Sequence, residues 1–411
     1  MTLLEQYAQI VGEDVIHHLQ QLGEHLQGLK VVHVNSTREG GGVAEILHRL
    51  IPLKQELGID ARWEVITGTD LFFQCTKLMH NGLQGKRGEL HPDYLTEYER
   101  VNEMNAESLR TNLEEADIVF IHDPQPAALL RFIPDRRGKW IWRCHIDASR
   151  PFRPIWKYLR NFIEPYSASI WSLPEFARPL LHPLYLVAPS IDPLSEKNIE
   201  LEEDELAAMH YKWGLDPERP IITQVSRFDR FKDPIGVIRA YRLVKEYSPI
   251  QLILAGGGAT DDPEGEEMIR WVKEYAGDDE DIHVLLLPSD DHRTINAFQR
   301  ISDIVIQKST KEGFGLTVTE AMWKGKPVIG GDVGGIRLQV VDHHTGFLVT
   351  SPEGAALRIR YLLKHRDKLK EMGEKAHNFV LENFLITRHL REHLTLMHAI
   401  MFENKERIET S

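Results

Sequence analysis

The chain predicts two doubly wound α/β domains facing a central crevice, with a last helix returning from the second domain to the first. Three observations carry that reading. Short apolar runs of strand length alternate with amphipathic helical stretches through most of the chain, the alternation that builds parallel sheets with right-handed crossovers. Polar and glycine-bearing segments follow the apolar runs, where such sheets place their ligands. The 411 residues suffice for two domains of ordinary size. A proline-flanked, acidic stretch between Ala188 and Glu205 reads as the hinge. The expected boundaries are 1–188 for the first domain, joined by a C-terminal helix within 380–411, and 196–379 for the second.

Taken in order, residues 1–28 read as short amphipathic helices, with Leu19, Leu22 and Leu26 on one face. Lys30–Val34 is the first strand and Ala61–Ile66 the second. The stretch from Gly68 to Asn105 is helical or loop material. Asp117–Ile121 and Trp140–Arg143 are strands, as are Ser169–Leu173 and Leu184–Val187. In the second half, strands are expected at Pro220–Val225, Ile250–Ala255, His283–Leu287, Ile304–Ile306 and Val328–Ile329. Helices are expected at Ile235–Tyr247, Arg293–Ile301, Thr317–Trp323, Gly354–Lys364, Arg366–Phe379 and Ile386–Met401.

Composition narrows the classes of function. Lysine plus arginine total 49 against 62 acidic residues, a net charge of −13, so neither nucleic acid nor an anionic membrane surface is an expected partner. No apolar run reaches membrane-spanning length and no signal-peptide pattern is present, which gives a cytoplasmic expectation. Cys75 and Cys144 are too few for a disulfide framework or a thiolate metal site. An anionic substrate would need a local cluster of cations against the overall field.

The stretch from Asp303 to Gly335 holds the densest chemistry: a strand, a glycine-broken loop, a helix, a second strand and a second glycine loop. Glu312 and Glu320 frame the first loop. Gly313 and Gly315 let backbone N–H groups approach a ligand, and the helix that follows offers its positive end. A phosphate on those N–H groups with hydroxyls on the carboxylates suits a sugar nucleotide; an ordinary loop with a surface and a helix-face glutamate suits the pair alone as well. Arg227 and Lys232, across the turn after a strand, could hold a diphosphate. Gly40, Gly41 and Gly42 lie between a strand and a helix, but the dinucleotide fingerprint is missing. His122, Asp123 and Gln125 follow one strand and His145 and Asp147 the next, as ligand-facing groups or, for Asp123, as a helix cap.

These motifs coincide. R-F-x-x-x-K from Arg227, E-G-F-G-L-T-x-x-E from Glu312, the glycine loop after Ile329 and T-G-F-L-V from Thr345 together resemble the retaining glycosyltransferases of the two-Rossmann-domain (GT-B) class, family 4. The runs HVNSTREGGGVAEIL, HDPQPA, WIWRCHID, PSIDPLSEKN and ITQVSRFD resemble the trehalose glycosyltransferring synthases within it. The resemblance implies reversible transfer of glucose from a nucleoside diphosphate glucose to free glucose, giving α,α-trehalose. It implies that Arg227 and Lys232 bind the donor diphosphate and that Glu320 binds the ribose. Glu312 with the backbone of Gly313, Phe314, Gly315, Leu316 and Thr317 would hold the donor glucose and phosphates. Gly41 and Gly42 would close over the donor. Asp123 and His145 match positions that line the sugar pocket in related transferases; Asn35, Gln125 and Asp147, on the same set of loops, are expected to complete the acceptor pocket, with His145, Arg227, Lys232 and Glu312 closest to the reaction. There is no D-x-D motif near these residues, so no cofactor is required by the sequence; a divalent cation such as Mg is compatible but unassigned. A homodimer is compatible, and donor binding is expected to close the crevice. A trehalose phosphorylase, another family 4 disaccharide-forming transferase and a sugar-nucleotide 2-epimerase are the alternatives.

No residue is an obvious nucleophile for double displacement, so a front-face path is expected, with the leaving phosphate taking the acceptor's proton. The loops of the first half offer amide, hydroxyl, carboxylate and imidazole groups. Asp123 and Asp147 would repel an acceptor phosphate. Free glucose rather than glucose 6-phosphate is the expected acceptor.

Overall fold

A computed structural model describes residues 1–39, 41–257, 263–288 and 290–402. Gly40, a member of the expected glycine loop between the first strand and its helix, lies outside the described residues, as does the tail from 403 onward. The chain divides into two compact units: Met1–Pro189 with the segment beginning at Ile386, and Ser190–Leu385.

The first unit is built on strands β1 (Lys30–Asn35), β2 (Asp60–Val65), β3 (Ile118–His122), β4 (Lys139–Arg143), β5 (Ala168–Trp171) and β6 (Leu184–Leu186). They form one sheet in the order β2-β1-β3-β4-β5-β6, every neighbouring pair parallel. Strands covered on both faces read as unbroken apolar runs; β3 is buried along its whole length. Helices α1 (Leu3–Val11), α2 (Glu13–Glu24), α3 (Gly42–Glu56), α4 (Asp70–Leu83), α5 (Pro92–Glu115) and α6 (Arg153–Ile163) surround it. The stretch expected as helix or loop from Gly68 to Asn105 is filled by α4 and most of α5. The Thr69 hydroxyl caps α4 by accepting from Phe72 N–H, and Pro92 opens α5. Cys75 and Cys144 are both free and buried.

The second unit opens with α7 (Glu203–Trp213), which begins inside the acidic tract expected as hinge. Glu203, Asp204 and Glu205 occupy its first turn, where the positive helix end favours carboxylates. Then come β7 (Ile221–Val225), α8 (Pro234–Lys245), β8 (Gln251–Gly257), α9 (Pro263–Ala276), β9 (Ile282–Leu287), α10 (His292–Ile301), β10 (Ile304–Gln307), α11 (Leu316–Trp323), β11 (Val328–Gly331), α12 (Ile336–Gln339), β12 (Gly346–Val349), α13 (Pro352–Lys364) and α14 (Arg366–Asn383). The strand order β12-β11-β10-β7-β8-β9, again all parallel, reproduces the Rossmann arrangement. α9 was not expected from sequence. The chain ends in α15 (Ile386–Met401), which packs against α2 and α3 of the first unit. Among the described residues, no helix is long and apolar enough to cross a membrane.

Candidate active site

In a doubly wound sheet the ligand crevice opens beyond the carboxyl ends of the strands, where the winding reverses. In the second unit that point lies between β7 and β10, and in the first between β1 and β3. The loops leaving these four strands carry most of the residues singled out from sequence.

In the second unit, the loop after β7 holds Arg227 and Lys232, and the loop after β10 holds Glu312 to Gly315. Lys232 Nζ lies 2.5 Å from Glu312 Oε2, and the two side chains are 16% and 10% exposed. The Ser309 hydroxyl donates to the same carboxylate oxygen. Arg227 stands apart, 72% exposed and 3.6 Å from the Asp229 carboxylate. Thr310 N–H donates to Phe231 O across 2.7 Å, tying the two loops together. Asp233 caps α8 by accepting from Gly236 N–H and pairs with Lys308.

The glycines here are demanded by close approach. A Cβ on Gly335 would lie 2.4 Å from Phe314 Cα, and one on Gly331 2.1 Å from Ser309 O. The two glycine loops therefore pack backbone to backbone. Gly315, at φ +85°, caps α11 without a side chain, so the helix start keeps uncapped N–H groups near Leu316 and Thr317 for an anion. Glu320 sits one turn in and is buried. Gln339, which sequence reasoning passed over, donates to Phe314 O and Gly335 O while accepting from Thr319 Oγ1. Its amide fixes the spacing of both loops.

In the first unit, Gly41 takes φ +82° and caps α3, with Gly42 as the helix's first residue. Asn35 is buried; its Oδ1 accepts from Trp63 Nε1 and its Nδ2 donates to Thr37 O, so its amide shapes this loop. Asp123 adopts φ +64°, the left-handed region that Asp tolerates better than most residues. It does not cap a helix: only a short 3-10 turn, Leu129–Phe132, follows. Instead its Oδ1 accepts from His145 N–H at 2.8 Å, stapling the end of β3 to the end of β4. Burial pushes the Asp123 carboxyl up to about 7, against the pull of that N–H and of Arg143. Gln125 keeps a buried Oε1 without a partner. Asp147 is buried and accepts from Ser149 N–H, closing its own turn. Arg143, at the end of β4, donates to Val187 O at 2.6 Å.

Behind His145 lies a feature that sequence reasoning missed. Lys54 Nζ is 2.9 Å from His33 Nε2. His33 Nδ1 is 3.0 Å from His122 Nε2, and His122 Nδ1 is 3.0 Å from His145 Nε2. Lys54, His33 and His122 are buried; His145 is partly exposed. Among the described residues, no group of three or more His, Cys, Asp or Glu side chains is placed to hold a metal ion.

Comparisons with known proteins speak to the family of the chain. Residues 33–178 match the family described as trehalose synthase, N-terminal domain, and residues 207–379 match glycosyl transferases group 1. The chain is 48% identical over 402 residues to a trehalose synthase of Pyrococcus horikoshii, covering 97% of this chain and 96% of that one. It is 49% identical over 401 residues to a trehalose synthase of Thermococcus litoralis, covering 96% and 97%. Among solved structures, a trehalose-6-phosphate synthase, OtsA, is similar with a TM-score of 0.73 at 14% identity, covering 90% of this chain and 99% of that one. At that identity the likeness speaks for the shared GT-B fold alone.

Proposed function

The chain belongs to the trehalose synthase family and is a trehalose-forming glycosyltransferase; from that premise we propose that it transfers glucose from a nucleoside diphosphate glucose to free glucose, reversibly and with retention. The observation that carries the donor half is the Lys232–Glu312 pair at the switch point of the second unit, beside the uncapped start of α11. Cleaving the glycosyl–phosphate bond builds negative charge on the diphosphate. Lys232, Arg227 and the N–H groups of α11 supply preorganised positive charge for it. Before donor arrives, Glu312 holds Lys232 in place; with donor bound, the ammonium turns part of its charge to phosphate and the carboxylate accepts from sugar hydroxyls. Glu320, one turn along α11, takes the ribose.

The acceptor half rests on the groups at the ends of β1, β3 and β4. Asp123, Gln125 and His145 offer a carboxyl, an amide oxygen without a protein partner and an imidazole, which suit neutral hydroxyls. Asp147 and Asn35 shape the loops that present them. Asp147, and Asp123 once it is ionised, make this loop cluster unfavourable for an acceptor phosphate. A front-face path then needs no protein nucleophile: the leaving phosphate accepts the proton of the incoming hydroxyl as the new bond forms.

The test is incubation of the chain with glucose and a panel of nucleoside diphosphate glucoses, followed by identification of the disaccharide and its linkage. The expected product is α,α-trehalose with release of nucleoside diphosphate. Trehalose made only from glucose 1-phosphate would make the enzyme a phosphorylase instead. Donor turnover without acceptor would make it an epimerase. A higher kcat/KM for glucose 6-phosphate than for glucose would overturn the acceptor assignment alone.

A further inference from the structure

The hydrogen-bonded series Lys54, His33, His122 and His145 runs from the inside of α3, across β1 and β3, to the carboxyl end of β4. Its geometry is regular: each link joins the Nδ1 of one imidazole to the Nε2 of the next. The His33 and His122 rings stack with centroids 5.3 Å apart, as do those of His122 and His145. A neutral imidazole has one N–H and one bare nitrogen, so a row of them has a direction. A lysine ammonium has only donors and can sit at one end alone. If Lys54 donates to His33 Nε2, the His33 proton must be on Nδ1. The same step repeated at His122 puts its proton on Nδ1, and repeated at His145 leaves Nε2 accepting and Nδ1 carrying the hydrogen. Among the described residues, His145 Nδ1 has no hydrogen-bond partner, and its ring is partly exposed.

We propose that Lys54, acting through His33 and His122, holds His145 as the Nδ1–H tautomer and so presents the sugar with a hydrogen-bond donor whose sense is fixed from inside the domain. Lys54, His33 and His122 are positioning residues; His145 is the group that meets a hydroxyl oxygen of the hexose. The role of His145 rests on the proposed function above, whereas the direction of the series does not.

The surroundings favour uncharged rings along the whole row. Burial, the leading cause, holds His33, His122 and His145 well below the ordinary imidazole range, with Lys54 and Arg143 adding to the effect. From α15, His389 and His393 face the same cluster, and burial depresses both. His33 stacks on Phe120 at 4.5 Å, and Lys54 Nζ lies 4.6 Å from the centroid of that same ring. This face gives the ammonium some compensation for lost water. Asp123 meets the row through the backbone N–H of His145. A buried lysine satisfied by an imidazole and a ring face is expensive to keep, and fixing a tautomer gives it a use that filling space would not.

The experiment reads the tautomers directly. Long-range proton–nitrogen correlation spectra of the full chain, labelled with nitrogen-15 and assigned with a His145→Gln variant, distinguish Nδ1–H from Nε2–H rings. At pH 6, where Lys54 keeps its ammonium, the expected result is the Nδ1–H pattern for His33, His122 and His145. In Lys54→Met, and separately in His33→Phe, which keeps a flat ring against Phe120, the His145 pattern should move toward Nε2–H. In the same variants, KM for the sugar should rise about tenfold, the scale of one hydrogen bond lost, with a smaller change in kcat. An Nε2–H ring at His145 in the unaltered chain, or a His145 pattern indifferent to both substitutions, overturns the proposal. A tautomer that shifts while KM stays put leaves the relay standing and removes His145 from the sugar site, which is a failure of the functional reading.

Discussion

Each unit keeps a lysine out of water, and the two are held in opposite ways. Lys324, at the end of α11 in the second unit, donates to Asn198 Oδ1, Gln299 Oε1 and Glu320 O. Three oxygens from three segments converge on it, with the Glu320 carboxylate offsetting part of the burial that lowers its pKa. Lys54 in the first unit meets an imidazole nitrogen and the face of Phe120. The same contrast runs through the site loops. The second unit works with paired charges, Lys232 with Glu312 and Lys308 with Asp233, whereas the first works with neutral rings and buried amides. Under the proposed function, a half-site for a diphosphate holds strong charges in reserve against one another, whereas one for neutral hydroxyls presents uncharged rings with the Lys54 ammonium kept behind them.

Substitutions can break this comparison, and the charged side should give the largest effect. Lys232→Ala or Arg227→Ala should lower kcat by roughly 10² to 10³, the scale of one lost preorganised charge. Arg227→Ala should leave thermal unfolding unchanged, since that side chain is 72% exposed. Turnover close to normal in both variants would remove the diphosphate role.

Next comes the opposite sign expected for the two buried lysines. Lys324→Met strands the two amide oxygens and the carbonyl it satisfies, and should destabilise the second unit by roughly 2–4 kcal/mol. Lys54→Met should stabilise the first unit while impairing sugar binding, a trade between stability and function. Its pH dependence is specific. Burial lowers the Lys54 ammonium from 10.5 to about 7. Between those values the unfolded chain holds a proton that the folded one has released, so stability rises with pH across that window and the full penalty is carried below about 7. The gain from Lys54→Met should therefore be greatest at pH 6, roughly 1–3 kcal/mol, and fade towards pH 10. Denaturant unfolding at the two pH values reads it; a gain that grows with pH would show that the lysine is not held as described.

The smallest expected effect belongs to Asp123→Asn. Asparagine tolerates φ +64° and can still accept from His145 N–H. Burial raises the Asp123 carboxyl from 3.8 to about 7, so the folded state keeps a proton that the unfolded state releases, and stability falls as pH rises through that window. The amide abolishes that loss. Asp123→Asn should be slightly more stable than the unaltered chain at pH 8 and indistinguishable from it at pH 4, by the same measurement.

The loops of the proposed donor half were easy to single out in the sequence because their residues are local. Arg227 and Lys232 share one loop, and Glu312 to Thr317 share another; each loop follows an apolar run that can only be a buried strand. The relay was not legible for the reason opposite to this. His33 sits inside β1 and His122 ends β3, and the two meet only because the sheet sets β1 beside β3. Lys54 looks like a polar residue of an amphipathic helix until α3 is laid down with that face inward. The one local sign was a histidine within the apolar run of β1. Gln339 was hidden similarly, in a four-residue helix too short to announce itself. Only the end of the acidic tract, Glu203 to Glu205, is helical, because carboxylates serve a helix start as readily as a solvated linker.

The return of α15 to the first unit has a consequence for how the protein is made. Residues 190–385 are contiguous and can close their sheet as they leave the ribosome, since domains generally fold as units during synthesis. The first unit is translated earlier yet stays unfinished until α15 emerges: His393 belongs against Phe120, with ring centroids 5.1 Å apart, and α15 lies on α2 and α3. For the time needed to synthesise the whole second unit, the apolar surface beneath α15 is uncovered, and the imidazole series lacks its lid. A chain halted at Leu385 should therefore show protease sensitivity concentrated in residues 1–189, with residues 190–385 already resistant. The order in which the two halves are encoded is thus the reverse of the order in which they can be completed.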